Sequence, residues 1–172
     1  MRLNRTVFAG LAGLCLLLVS LISVVGINLV RASDPIPEAV YDCLPAQTQA
    51  PNLWGLVETT AGSYALIGVS EGETYQEVLI YLDTQATCRS LLPEDDPVLS
   101  HYIPLNVARE LALQRYTQVL QEQGGRDAYQ EQLTEYLTAA PDGTRSQFPQ
   151  EYIWALEQLG IELPPDSYEV LR

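Results

Sequence analysis

The sequence predicts an α+β fold, with an N-terminal transmembrane helix followed by a three-stranded antiparallel sheet and about three α-helices. Three observations predict it. An uncharged, mostly apolar run from Thr6 to Val30 opens the chain. Period-two runs between residues 53 and 83 are separated by short Gly-containing turns. From residue 105 onward the apolar residues recur every three or four positions. Strands first and helices afterwards is the α+β order.

At about 1.5 Å per residue, a helix over Thr6–Val30 crosses a hydrocarbon core about 30 Å thick. Arg2 and Arg5 precede the run and Arg31 closes it. Val30-Arg31-Ala32 before Ser33 resembles a signal-peptidase site, but a cleaved h-region spans only about 7–15 residues. This run is much longer and lacks a polar c-region, so residues 1–31 read as an uncleaved signal anchor, with a long signal peptide as the alternative. Cys15 follows Leu14 rather than a small residue, and the apolar run continues past it, so it reads as a lipid-facing or packing thiol and not as a lipidation site. Gly10 and Gly13 are three apart, so the small-xxx-small dimer motif is absent. The Met1 amine, Arg2 and Arg5 outweigh the single following Arg31, which puts the N-terminus in the cytoplasm. The remainder is then extracytoplasmic, in a periplasm, at a cell exterior or in a thylakoid-type lumen.

Residues 32–52 form a linker broken by Pro35, Pro37, Pro45 and Pro51, with one short turn over Glu38–Cys43 that positions Cys43. Residues 53–172 form the exported acidic domain. Its strands are expected at Leu53–Thr60, Tyr64–Ser70 and Tyr75–Asp83, joined through Ala61-Gly62-Ser63 and Glu71-Gly72-Glu73 as an antiparallel meander. Val78, Ile80 and Leu82 form a purely aliphatic face, shared by Ala65, Ile67 and Val69, and the other face is mixed. This is the pattern of a sheet covered by helices on one side. Gly55 and Gly68 lie in strand interiors, where glycine marks a bulge or a close backbone approach.

Residues 84–102 read as a connection containing Glu94-Asp95-Asp96. Leu105, Ala108, Ala112, Tyr116, Val119 and Leu120 then stripe a long helix that stops at Gly124-Gly125. Asp127 is placed to cap a second helix, with Gln130 as its capping-box partner and Tyr129, Leu133, Tyr136 and Leu137 as its apolar stripe. After the Pro141-Asp142-Gly143 turn, Pro149 suits the first turn of a third helix. Tyr152, Ile153, Leu156 and Leu159 form the stripe of that helix, and Gly160 its left-handed cap.

The chain carries 22 acidic residues against 9 basic ones, for a net charge of −13. Every acid and six of the nine arginines lie beyond Arg31, and there is no lysine. Such a field repels phosphate backbones, which excludes nucleic acid as a partner, and it suits a partner with a basic surface. Cys43 and Cys88 are the two exported cysteines. In an oxidising compartment they read as a disulfide closing a loop of about 45 residues, worth roughly 3–4 kcal/mol in the chain-entropy model. Neither belongs to a Cys-x-x-Cys motif, and two cysteines with one histidine are too few ligands for zinc.

His101 is the only histidine, so acid–base chemistry at neutral pH falls to it first. Ser100 is adjacent and Asp95 and Asp96 are near, but no Gly-x-Ser-x-Gly elbow accompanies them. The acid run lacks the spacing of an EF-hand. No catalytic, cofactor-binding or metal-binding residue is assigned. Ten tyrosines and two tryptophans supply the candidate interface residues, Trp54, Tyr81, Tyr102 and Trp154. The functional expectation is a non-enzymatic, membrane-anchored exported interaction module, an accessory or stabilising factor for a membrane-associated complex. The alternative is an exported ligand- or cation-binding protein, with a hydrolase using His101 behind both.

Overall fold

Alternating residues in the first half of the domain build a four-stranded antiparallel sheet of order β1-β2-β3-β4. Its strands are β1 (Gln49–Thr59), β2 (Gly62–Glu71), β3 (Thr74–Asp83) and β4 (Cys88–Ser90). Among the described residues four α-helices accompany it: α1 (Glu38–Tyr41), a single turn, then α2 (Leu105–Glu122), α3 (Arg126–Ala139) and α4 (Gln150–Gln158). A short parallel pair, β5 (Ser146–Pro149) and β6 (Tyr168–Leu171), flanks α4. The computed structural model describes residues 36–44, 48–71, 74–91, 96–139 and 145–172. The expected transmembrane segment with Cys15, the Gly72-Glu73 turn, Glu94-Asp95 and the turn at 141–143 lie outside the described residues. No described helix is long and apolar enough to cross a membrane.

The α+β order is as expected, and the helices sit on the face opposite to the one the aliphatic pattern indicated. Leu66 and Leu79, on the mixed face, are fully buried against Ala108, Leu111, Ala112 and Leu156 of α2 and α4. The aliphatic face of Leu53, Ala65, Ile67, Val69, Val78 and Ile80 is buried too, in a second cluster with Val40 of α1 and with Ile36, Cys43 and Leu44 packed against it. The sheet is therefore buried on both sides, and part of the Pro-rich linker is core. The mixed face takes the helices because it has the room. The β1–β2 register steps from Leu53↔Ile67 to Gly55↔Leu66, which makes Trp54 the extra residue of a bulge. Next to it, a Cβ on Gly55 would meet Gln114 Oε1 and Leu111 Cδ2, each at 3.1 Å, so the missing side chain sets how closely α2 approaches.

Helix ends follow local chemistry. Gly124 (φ +87°) ends α2, and Gly125 N–H reaches back to Leu120 O at 2.7 Å. Gly160 (φ +72°) ends α4 in the same way, with Ile161 N–H bonded to Leu156 O at 2.9 Å. Both are Schellman closures. Asp127 does not cap α3 from outside but lies in its first turn, where its Oδ1 accepts Arg126 Nε at 2.9 Å. Gln130 instead holds Glu162, accepting its N–H at 2.7 Å and donating to its C=O at 2.8 Å. Tyr136, expected in the apolar stripe, is 67% exposed, and α3 reaches the core through Leu133 and Leu137.

Candidate functional site

Among the described residues, three clusters of polar or thiol side chains stand out. The first lies after Asp96. Asp96 Oδ1 accepts the Val98 N–H at 2.9 Å, an Asx turn that starts the 3₁₀ turn Leu99–His101. Asp96 Oδ2 then meets His101 Nδ1 at 2.6 Å and accepts the Tyr102 hydroxyl at 3.3 Å. The bond from His101 is the main cause holding the Asp96 carboxyl below its ordinary range. The same bond raises the His101 imidazole, helped by the Arg172 backbone. Tyr102 is raised as well, by burial first and then by the Asp96 charge.

Ser100 does not join His101. Its N–H and Oγ both go to Glu151, at 3.1 Å to Oε1 and 3.3 Å to Oε2. Glu151 is fully buried in the first turn of α4. A nucleophile needs its hydroxyl on the base, and here the hydroxyl bonds a different carboxylate. The arrangement fastens the 3₁₀ turn to α4 and leaves His101–Asp96 as an exposed, titrating ion pair.

The second cluster lies between β3 and the helices. Arg115 of α2 donates from Nε to Glu77 Oε1 at 2.6 Å, and the Tyr152 hydroxyl reaches Glu77 Oε2 at 3.4 Å. The guanidinium lies against the rings of Tyr116 (5.1 Å) and Tyr152 (5.3 Å). Those two rings meet edge to face at 5.6 Å, and Tyr116 also meets Tyr129 of α3 at 6.3 Å. Burial raises the hydroxyls of Tyr116 and Tyr152 and pushes Tyr129 up to about 12, so all three stay neutral. Burial opposes the charge on Arg115, but Glu77 and the tyrosines more than offset it and keep the guanidinium charged. This is a lock joining β3, α2, α3 and α4.

The third is the pair Cys43 and Cys88. The expected disulfide is not formed: the fold brings the two into contact as free thiols, Cys43 half-buried and Cys88 exposed. Cys43 also donates from Sγ to Ala39 O at 3.0 Å, inside the turn of α1. Burial, then the neighbouring Cys88, pushes the Cys43 thiol up to about 12.

The four aromatic candidates lie on β1 (Trp54), β3 (Tyr81) and α4 (Trp154) and just after the 3₁₀ turn (Tyr102). Trp54 is 9% exposed in the helix-side core. Trp154 packs on that core with Arg109 over its ring at 5.5 Å. Tyr81 stacks on Tyr64 at 4.8 Å and donates its hydroxyl to Ala61 O at 2.7 Å, closing the β1–β2 turn. Tyr102 is 40% exposed beside Asp96.

Sequence reasoning passed over Gln114, Gln118, Glu77, Arg115 and Glu151. The signal was helical spacing: Leu111, Gln114 and Gln118 share one side of α2, so the two glutamines belong to its buried stripe. Among the described residues, no group of three His, Cys, Asp or Glu side chains converges to hold a metal. Comparison of the chain with protein-family models, curated proteins and solved structures finds no match.

Proposed function

We propose that this chain is a non-enzymatic, membrane-anchored exported module, an accessory or stabilising subunit for a membrane-associated complex with a basic surface. The observation that carries the reading is the outer side of α3. Asp127, Glu131 and Glu135 are exposed along it, and Tyr136, 67% exposed, lies on the adjoining flank of the same helix. An aromatic anchor at the border of a negative face suits a basic partner surface. The apolar run Thr6–Val30 would hold this surface next to membrane partners and raise its effective concentration there. The commitment of Ser100 to Glu151 weighs against the hydrolase reading.

The test is brief crosslinking in native membranes, mild detergent extraction and mass spectrometry of what accompanies the tagged full chain. A reproducible, near-stoichiometric membrane complex that is lost in Glu131→Arg/Glu135→Arg/Tyr136→Ala is expected. A chain that stays monomeric after crosslinking, with a melting temperature that rises on adding calcium, would instead favour the cation-binding alternative.

A further inference from the structure

We propose that Cys43 and Cys88 are an oxidation site: a disulfide, formed by exchange with an external disulfide oxidant, that clamps α1 to the outer strand of the sheet. The two thiols are far apart in sequence, and the fold brings them into contact. Two independent features of the fold do this. Val40, 1% exposed, seats α1 on the aliphatic face, and the turn that follows carries Cys43 alongside it. Cys88 pairs with Leu82 in the β3–β4 ladder, and Leu82 packs against the same cluster. The loop closed between the cysteines contains β1, β2 and β3 entire.

The order of reaction follows from exposure. Cys88 is open to solvent, whereas Cys43 is half-buried and bonded to Ala39 O. The Cys88 thiolate attacks one sulfur of the oxidant disulfide, the oxidant's S–S bond breaks, and its other sulfur leaves as a thiolate. Cys43 then loses its proton and attacks Cys88 Sγ, forming the Cys43–Cys88 bond and releasing the second oxidant sulfur. Two protein thiols lose two electrons and two protons, and the oxidant becomes a dithiol.

The consequence is mechanical. Without the bond, α1 is held on the sheet by the packing of Val40, Ile36 and Leu44. With it, α1 and β4 cannot separate, and the chain leading to the membrane segment is fixed to the sheet edge. Occurrence in the cell rests on the exported placement proposed above, whereas the pairing itself rests on the geometry.

The full-length chain carrying Cys15→Ser, in detergent, separates the two. Trypsin cuts after Arg31 and Arg89, and no other Lys or Arg lies between, so one peptide, residues 32–89, holds both thiols. After oxidised glutathione, that peptide is expected to be two hydrogens lighter and to lose both alkylation sites, regaining them with dithiothreitol. Cys43→Ser should instead trap a glutathione adduct on Cys88, and Cys88→Ser should keep Cys43 as one free, alkylatable thiol. A stable glutathione adduct on Cys88 with Cys43 still free, or peptides joined between two chains, would overturn the proposal. In acid-trapped native membranes the light peptide is expected to predominate. A reduced pair there, in a chain that closes readily in detergent, would overturn the exported placement and leave the pairing intact.

Discussion

Gln114 holds both backbone groups of Leu56: its Oε1 accepts the Leu56 N–H at 2.8 Å and its Nε2 donates to the Leu56 C=O at 3.2 Å. One turn on, Gln118 Nε2 donates to the carbonyls of Leu53 and Trp54, each at 3.1 Å. Two buried side-chain amides of α2 thus take the place of a neighbouring strand beside the bulge in β1. Removing an amide strands buried backbone groups. Gln114→Leu and Gln118→Leu should each lower the unfolding free energy by about 1–3 kcal/mol in urea titrations. Gly55→Val should cost a similar amount by forcing α2 outward.

Glu77 and Arg115 are each about one-fifth exposed. Glu77→Ala leaves a largely desolvated guanidinium unpaired, and should cost about 2–3 kcal/mol, below the figure for a fully buried pair. Glu77→Leu with Arg115→Met should recover most of it. Chemical denaturation of the single and double variants checks both. A Glu77→Ala protein as stable as the parent would mean that the lock contributes nothing.

The His101–Asp96 pair sets a pH window. The raised His101 pKa gives stabilisation that is full below its ordinary 6.5 and is lost as pH rises through the raised value. The lowered Asp96 pKa gives stabilisation that is present above its ordinary 3.8 and is lost as pH falls through the lower value. The pair is therefore fully formed between those two ordinary values. His101 gives the only imidazole signals in the chain, so its NMR titration should have a midpoint above 6.5. Asp96→Asn should bring the midpoint down.

Gly62 has φ +149°, and a Cβ there would lie 2.3 Å from Leu82 O and 2.9 Å from Tyr81 Cε2. The Tyr81 ring covers the glycine while its hydroxyl holds Ala61 O. Gly62→Ala should destabilise by ~2–3 kcal/mol, as expected where backbone must shift. Tyr81→Phe should cost about 1 kcal/mol through the lost hydrogen bond. Thermal melts of the two variants check the ranking.

The meander and the three later helices were legible because periodicity and glycine punctuation are local signals. Leu105–Glu122 and Gly160 follow them closely. What escaped depends on partners distant in sequence. The parallel pairing of Ser146–Pro149 with Tyr168–Leu171 spans α4, and neither segment alternates long enough to declare itself. β4 has only three residues, all exposed, inside a stretch that reads as loop. The facing error on the sheet has a similar origin. An aliphatic row marks a buried face, but a single turn anchored by Val40 serves as cover as well as a long helix does. Of the candidate residues, the even count of exported cysteines pointed to the Cys43–Cys88 pair, which the fold brings into contact as free thiols, whereas the glutamine amides and Glu151 are polar and were passed over.

Burial of the sheet on both sides also shapes how this protein can be recognised. Among the described residues a visiting molecule finds both faces of β2 and β3 covered, and side-chain amides already occupy β1 backbone groups. It is left the helices, the turns and the short exposed strand β4, where this chain presents charge more than apolar relief. Association of that kind is fast to form, falls off as ionic strength rises, and exchanges readily unless an aromatic contact holds it. On the proposed reading, such a domain would be a reversible attendant of a membrane complex, kept within reach by the proposed tether.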